Sequence, residues 1–311
     1  MKSKKYIEIN GMLLLDKPKG LSSNNFLQHI KYLFSVKKAG YIGSLDPLAT
    51  GMLPICFGKA TKFSKYLLEM KKTYHVIAQL GQKTITGDIS GIILKKEIVD
   101  IKFEKIIQIL KKFHGIIHQI PSMYSAIKFK GIPLYKYARQ GIIVPRKKRI
   151  LKIYQLICIQ YLYGFLELKV VCSKGTYIRS LIEDIGECLG CGAHVVFLRR
   201  ISIGPYNISN LITLSQIYKK KHNQRFQKKT NFFINIREFL LPLTSLVNVY
   251  PKIFLIKKDI FFLKNGKSIF LKKKKYLGFI QIFQENTQKF VGMGKINSKN
   301  YLFMDQIISD I

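Results

Sequence analysis

The stretch Lys72 to Gly81, KTYHVIAQLG, has a period of two: Tyr74, Val76, Ala78 and Leu80 share one face, and His75, Ile77 and Gln79 the other. That period belongs to a strand with one buried face, not to a helix. On its N-terminal side, Met12 to Leu15 (MLLL) reads as a short buried strand stopped by the Pro- and Gly-rich turn at Asp16 to Gly20. Ser22, Ser23 or Asn24 then caps a helix with Phe26, Ile30, Leu33 and Phe34 on its apolar face, ending near Gly40. On its C-terminal side, Phe103, Ile106, Ile107, Leu110 and Phe113 mark a second helix. Leu151 to Gln160 and Gly164 to Cys172 read as a hairpin joined through Tyr161-Leu162-Tyr163. Leu181, Ile182, Ile185 and Leu189 stripe a further helix, with Arg179 near its start. Strand, loop and helix alternate without a clean repeat, which makes a mixed α/β chain.

Residues 121–150 interleave aromatic and basic side chains without a core period, and they read as an excursion offering stacking and phosphate-contacting groups together. Residues 207–245 read as a polar connector with a helix or two. From Val247 onward, short apolar runs separated by Lys264-Asn265-Gly266 and Gly292-Met293-Gly294 read as a small all-β module, with the boundary near residue 245.

With 311 residues, 48% hydrophobic and 12% aromatic, the chain can fill a core. Its net charge of +36 implies a polyanionic partner. AT-rich coding offers a compositional explanation for individual lysines, so the runs Tyr218 to Lys229 and Lys272 to Lys275 identify no particular contact. No apolar stretch reaches the roughly 18 to 20 residues of a membrane span, and the chain reads as cytosolic. No amphipathic helix supports membrane-surface binding through the lysines. Five cysteines suggest free thiols rather than a disulfide framework. Cys188 and Cys191 have CxxC spacing with His194 close by, but a zinc site needs a second pair that the chain lacks.

One carboxylate stands out. In Gly43 to Gly51, GSLDPLATG, Asp46 lies in an apolar run bounded by glycines. Asp-Pro is a common turn signal in which the carboxylate caps backbone N–H groups. The alternative is a carboxylate on a rigid loop, poised as a nucleophile or base.

GMLLLDKPKGLSSN (11–24), GSLDPLATGMLPICFGKATKFS (43–64), KTYHVIAQLG (72–81), QIPSMYSAIKFKG (119–131), CSKGTYIRSLIEDIGECLGCGAHVVFLRR (172–200), FLKNG (262–266) and FVGMGKI (290–296) together resemble the bacterial TruB-type tRNA pseudouridine-55 synthases over nearly the whole chain, in order. The resemblance implies a mixed, mostly antiparallel sheet flanked by helices over 1–245, with an RNA-binding insertion at 121–150, and a β-rich PUA-like module over 246–311. It implies isomerisation of uridine 55 in the tRNA T-loop without cofactor or metal, by a monomer that needs no protein partner. The base must be flipped out of its stack to be reached.

By the same resemblance, Asp46 is the catalytic aspartate, Tyr74 stacks on the flipped base, and Arg179 pairs with Asp46, favouring its charged form and fixing its direction. Tyr41, Tyr177, Lys17, Lys19, Lys128 and Arg139 are the candidate substrate and RNA contacts, Lys17 and Lys19 as braces of the site or phosphate contacts. Gly43, Pro47 and Asp88 are structural supports. On residue type alone, Tyr74 reads first as a core tyrosine at a strand start, and Asp88, Lys17 and Lys19 read equally as turn or surface residues; a surface arginine at a helix start fits Arg179 less well, because Tyr177, Ile178 and Leu181 around it are apolar.

The chain departs from the family where Gly40-Tyr41-Ile42-Gly43 replaces Gly-His-Thr-Gly, keeping an aromatic ring but losing the imidazole. Ile85 also stands where the family has an acidic residue. These departures, with the charge, leave a second reading: a tRNA-binding protein of the same fold whose catalysis has weakened.

Overall fold

The computed structural model describes residues 6–219, 236–272 and 276–308. Most of the run Tyr218 to Lys229, the middle of the 207–245 connector, and the 272–275 run beyond Lys272 therefore lie outside the described residues.

Strand β1 (Gly11–Lys17) is followed by helix α1 (Ser23–Leu33), capped by the Ser22 hydroxyl on Asn25 N. The helix stops at Leu33, seven residues before Gly40, because Ser35 takes a left-handed backbone at φ 50°. The chain then forms β2 (Ala39–Tyr41), which pairs with β3 (Thr50–Phe57). A short helix α2 (Ser64–Leu68) leads to β4 (Lys72–Leu80), whose alternating burial matches the period of two. A small hairpin, β5 (Gln82–Thr84) with β6 (Ile93–Lys96), precedes α3 (Phe103–Lys112). The buried stripe of α3 is Ile106, Ile109 and Leu110; Phe103, at its first position, is 48% exposed rather than on the core face.

Next come β7 (Gly115–Gln119) and the insertion, which carries a two-stranded hairpin, β8 (Lys128–Phe129) with β9 (Ile132–Pro133), and the single-turn α4 (Leu134–Ala138). Strand β10 (Arg149–Leu162) continues through most of the expected link; its turn into β11 (Phe165–Cys172) is only Tyr163-Gly164, at φ 50° and 78°, the signs a tight two-residue hairpin turn requires. Helix α5 (Ile178–Leu189) and β12 (Ala193–Ile203) follow, and β13 (Tyr206–Asn207) turns back on β12.

The main sheet runs β1-β3-β12-β4-β11-β10-β7, with β2 and β13 at its side. It is antiparallel except for the β3/β12 pair. Leu13 and Leu15 of β1 join one apolar cluster with Phe26 and Ile30 of α1, Ile106 of α3 and Leu181 and Ile182 of α5; Met12 and Leu14 join another. Both faces of β1 are therefore covered, which is why MLLL is apolar without alternation.

The second cluster joins Met12, Met52, Phe63 and Tyr66 to Leu246, Val247 and Met293 of the C-terminal unit. That unit has a five-stranded sheet ordered β14 (Lys252–Leu255), β16 (Gly278–Gln284), β17 (Phe290–Ile296), β18 (Tyr301–Ile307) and β15 (Ile269–Phe270). It also has a helix, α6 (Lys257–Lys264), so it is not all-β as expected. Lys264-Asn265-Gly266 ends that helix, with Gly266 left-handed at φ 78°. Gly292 and Gly294 lie inside β17 rather than in a turn: a Cβ at Gly292 would stand 2.2 Å from the Gln306 carbonyl oxygen, so strand packing demands the missing side chain.

Candidate active site

The register of the main sheet brings one row of residues side by side: Lys17 opposite Gly51, Gly51 beside Arg200, Arg200 opposite Tyr74. The loop from Gly43 to Ala49 stands at that end of the sheet. Its backbone closes a turn, Ala49 N to Asp46 O at 3.1 Å, so the Asp-Pro turn reading holds as geometry. The carboxylate is not consumed by that turn. Arg179 holds it in a two-pronged pair, Nε to Oδ2 at 2.8 Å and Nη2 to Oδ1 at 3.1 Å. The Arg179 side chain is 5% exposed and that of Asp46 36%, so the pair is buried on the arginine side and open on the carboxylate side.

Arg179 is the second residue of α5 and lies on its buried face rather than on the surface. Its remaining N–H groups donate to Thr86 O at 2.8 Å and Tyr124 O at 2.9 Å. The guanidinium thus joins three segments: the Asp46 loop, the turn after β5, and the base of the insertion. Asp88 orders that turn: it is buried, and its Oδ1 accepts from Thr86 Oγ1 at 2.9 Å, from Ser90 N at 3.0 Å and from the Ser90 hydroxyl. Its Oδ2 stands 3.8 Å from Arg179 Nη1. Glu183, one turn after Arg179, faces Gly87 of the same turn, and burial pushes its carboxyl up to about 7 against the pull of Arg179 and Lys83.

Tyr74 is buried, and desolvation raises its phenol above the usual tyrosine range, with Arg200 acting in the opposite sense. Tyr177 immediately precedes α5. Its backbone exchanges two hydrogen bonds with the Gln119 side chain, 2.9 and 3.0 Å, and burial raises its phenol within electrostatic reach of Asp46 and Arg179. Lys17 is fully buried, donating to the carbonyls of Pro18 at 2.8 Å, Leu21 at 2.7 Å and Pro47 at 3.5 Å, which is the placement of a brace. Burial lowers it to about 8, although the nearby Asp46 charge opposes the shift.

Of the other candidates, Gly43 takes φ 70°, and Pro47 is exposed while its carbonyl accepts Gly20 N at 2.8 Å. Tyr41 lies on β2, half-buried against the main core. Lys19, Lys128 and Arg139 are exposed, with the Arg139 guanidinium 5.5 Å from the centre of the Tyr135 ring. Among the described residues, no group of three or more His, Cys, Asp or Glu is placed to hold a metal, and no helix is long and apolar enough to cross a membrane.

Three side chains that shape the site escape a reading by residue type. Ser23 exchanges two hydrogen bonds with the backbone of Leu45, at 2.8 and 2.9 Å, next to Asp46; as a helix-start serine it looks like a cap. Gln119 and Arg200 look like ordinary strand residues. Only their burial, at 1% exposure each, sets them apart.

The family described as TruB family pseudouridylate synthase (N terminal domain) matches residues 31–178. The tRNA pseudouridylate synthase B C-terminal domain matches 179–248, and the pseudouridine synthase II TruB C-terminal domain matches 251–303. A Buchnera aphidicola (subsp. Acyrthosiphon pisum) protein named tRNA pseudouridine synthase B is 48% identical over 305 residues, covering 97% of this chain and 96% of that protein. The Escherichia coli strain K12 protein of the same name is 44% identical, covering 94% and 93%. Among solved structures, one described as a Cbf5-Nop10-Gar1 complex superposes with a TM-score of 0.73 at 26% identity, covering 96% of this chain and 84% of that one.

Proposed function

From the premise that the chain belongs to the TruB family and is a pseudouridine synthase acting on tRNA, we propose that its target is uridine 55 in the T-loop and that Asp46 is the catalytic carboxylate. The observation that carries this reading is the two-pronged grip of Arg179 on a carboxylate whose other side is open. In the isomerisation the N1 to C1′ bond breaks, the uracil turns, C5 bonds to C1′, the C5 proton leaves and N1 gains one. A charged carboxylate beside C1′ suits a centre that becomes electron-poor as that bond breaks. Tyr74 and Tyr177 supply aromatic surface for the flipped base, which offsets part of the few kcal/mol of unstacking.

The insertion at 121–150 closes over the T-arm, its Lys128 and Arg139 meeting phosphate. The unit from 246 to 311 is a PUA-like module that touches RNA away from the T-loop. The protein works in the cytoplasm as a monomer, without cofactor, metal or protein partner. The second reading, a tRNA-binding protein of the same fold with weakened catalysis, rests on Tyr41, Ile42 and the charge; the clamped carboxylate of Asp46 supports the catalytic reading over it.

Incubation with unmodified tRNA carrying tritium at uracil C5 tests the reading. Wild-type protein is expected to release label from position 55, and Asp46→Asn to lose at least about 1,000-fold in rate while still binding tRNA. Release from another position overturns the target, and an unimpaired Asp46→Asn overturns the assignment of Asp46.

A further inference from the structure

Arg200 is the largest fully buried side chain of the described residues, at 1% exposure. No carboxylate lies within ion-pair distance of it among them, whereas its neighbour Arg199, on the other face of β12, takes Asp16 in a two-pronged pair at 2.6 and 2.9 Å. A buried cation without a counter-ion is costly unless polar groups replace its water. Here backbone carbonyls do so: Nε donates to Met52 O at 2.8 Å, Nη2 to Gly43 O at 2.7 Å and Ile42 O at 3.5 Å, and Nη1 to Ser44 O at 3.4 Å. Three of these acceptors are consecutive, and they end two residues before Asp46.

Packing alone does not ask for this. A leucine or methionine fills much of the same volume without desolvating a charge. What the guanidinium adds is a rigid planar fork able to gather carbonyls from several residues. The chain around it conforms: Gly43 is left-handed, and a Cβ there would approach Arg200 Nη1 to 3.1 Å; a Cβ at Gly51 would come within 2.3 Å of the Arg200 carbonyl oxygen. On the opposite side Arg200 is the direct strand partner of Tyr74, whose phenol feels its charge.

We propose that Arg200 is a positioning residue for the reaction: by gathering the carbonyls of Ile42, Gly43 and Ser44 while paired across the sheet with Tyr74, it sets the distance and direction of the Asp46 carboxylate relative to the base platform. The inference rests on the reading of Asp46 and Tyr74 given above. Arg200 does not touch RNA, so its loss acts on the chemical step and not on tRNA affinity. A displacement of about 1 Å in such a group costs on the order of 100-fold in rate.

The test compares single-turnover tritium release at saturating protein with the Kd for tRNA, in Arg200→Lys, Gly43→Ala, Arg199→Lys and Asp46→Asn, each checked for folding by urea unfolding. Arg200→Lys keeps the charge but not the fork; it is expected to slow release roughly 30- to 100-fold with Kd within about threefold of wild type. Gly43→Ala pushes the loop off the guanidinium without altering Arg200 and is expected to give the same pattern; it carries the test alone if Arg200→Lys does not fold. Arg199→Lys, on the other face of the same strand, is expected to stay within about threefold of wild-type rate. Folded Arg200→Lys and Gly43→Ala proteins that release label at near wild-type rate, or whose deficit lies wholly in Kd, overturn the proposal. An active Asp46→Asn overturns the underlying site reading instead, so the two failures are distinguishable.

Discussion

The loop carrying Asp46 and the insertion at 121–150 face one another across Arg179, yet they are built in opposite ways. In and just before the loop five backbone carbonyls have a side-chain partner from elsewhere: Arg200 on residues 42–44, Ser23 on Leu45, Lys17 on Pro47. The insertion is tied at its base, by Arg146 to Pro121 O at 2.8 Å and by Arg179 to Tyr124 O, and Leu134 and Val144 are its buried anchors. Beyond that base it exposes what protein surfaces usually cover, with Ile143 81% exposed, and Lys147 and Lys148 further along the same segment are exposed as well. Chemistry needs a group fixed before substrate arrives, whereas a long, variable polyanion is met by exposed apolar and basic groups that settle on contact.

The sharpest way to break this contrast is at the residue that joins the two regions. Arg179→Lys keeps a positive charge but cannot grip Asp46, Thr86 O and Tyr124 O together, and single-turnover release is expected to fall by about 100-fold or more, with tRNA affinity falling less. An equal loss in both would mean that loop and insertion are one unit. Ser23→Ala removes both partners of the Leu45 backbone in a buried place. It is expected to cost about 1–3 kcal/mol in urea unfolding and roughly 10-fold in rate. Lys128→Ala combined with Arg139→Ala acts on the insertion only: Kd for tRNA is expected to weaken roughly 3- to 10-fold and the salt dependence of binding to flatten, with the saturated rate unchanged. A changed saturated rate would move these residues to the chemical side.

The effect furthest from the chemistry, on stability alone, belongs to Glu183. Its folded pKa of about 7 lies above its ordinary 4.5. The stability this contributes is fully present below pH 4.5 and is lost as the pH rises through 7. Wild-type protein is therefore expected to lose on the order of 2 kcal/mol or less between pH 4.5 and 8, and Glu183→Gln to lack that slope in urea titrations at the two pH values. An identical slope in the variant would place the titration elsewhere.

Much of the architecture is legible in local pattern. The period of two in 72–81 marks the strand on which Tyr74 lies, and the stripe at 181, 182, 185 and 189 marks α5, because burial on one face leaves a periodic trace. Errors fall where a single backbone torsion or a neighbouring segment decides. Ser35 ends α1 early, Tyr163-Gly164 allows β10 to run to Leu162, and Gly292 and Gly294 answer to strands beside them rather than to a turn.

The division at the site is similar. Asp46, Tyr74 and Arg179 stand in motifs long enough to be matched, and the sequence by itself determines that a carboxylate sits on a glycine-bounded turn, that a tyrosine starts a half-buried strand, and that an arginine opens a helix. Lys17, exposed-looking in a Pro- and Gly-rich turn, is buried against carbonyls, and Arg200, anonymous in a run of two arginines, is buried while Arg199 is not. Local residue type states what a side chain can donate or accept. Which of those capacities is used depends on the fold: Lys17 turns onto the carbonyls of Pro18 and Leu21 in its own turn and reaches Pro47, 30 residues away, while every carbonyl that Arg200 gathers lies 148 to 158 residues away, brought to it only when the sheet register aligns Lys17, Gly51, Arg200 and Tyr74 in one row.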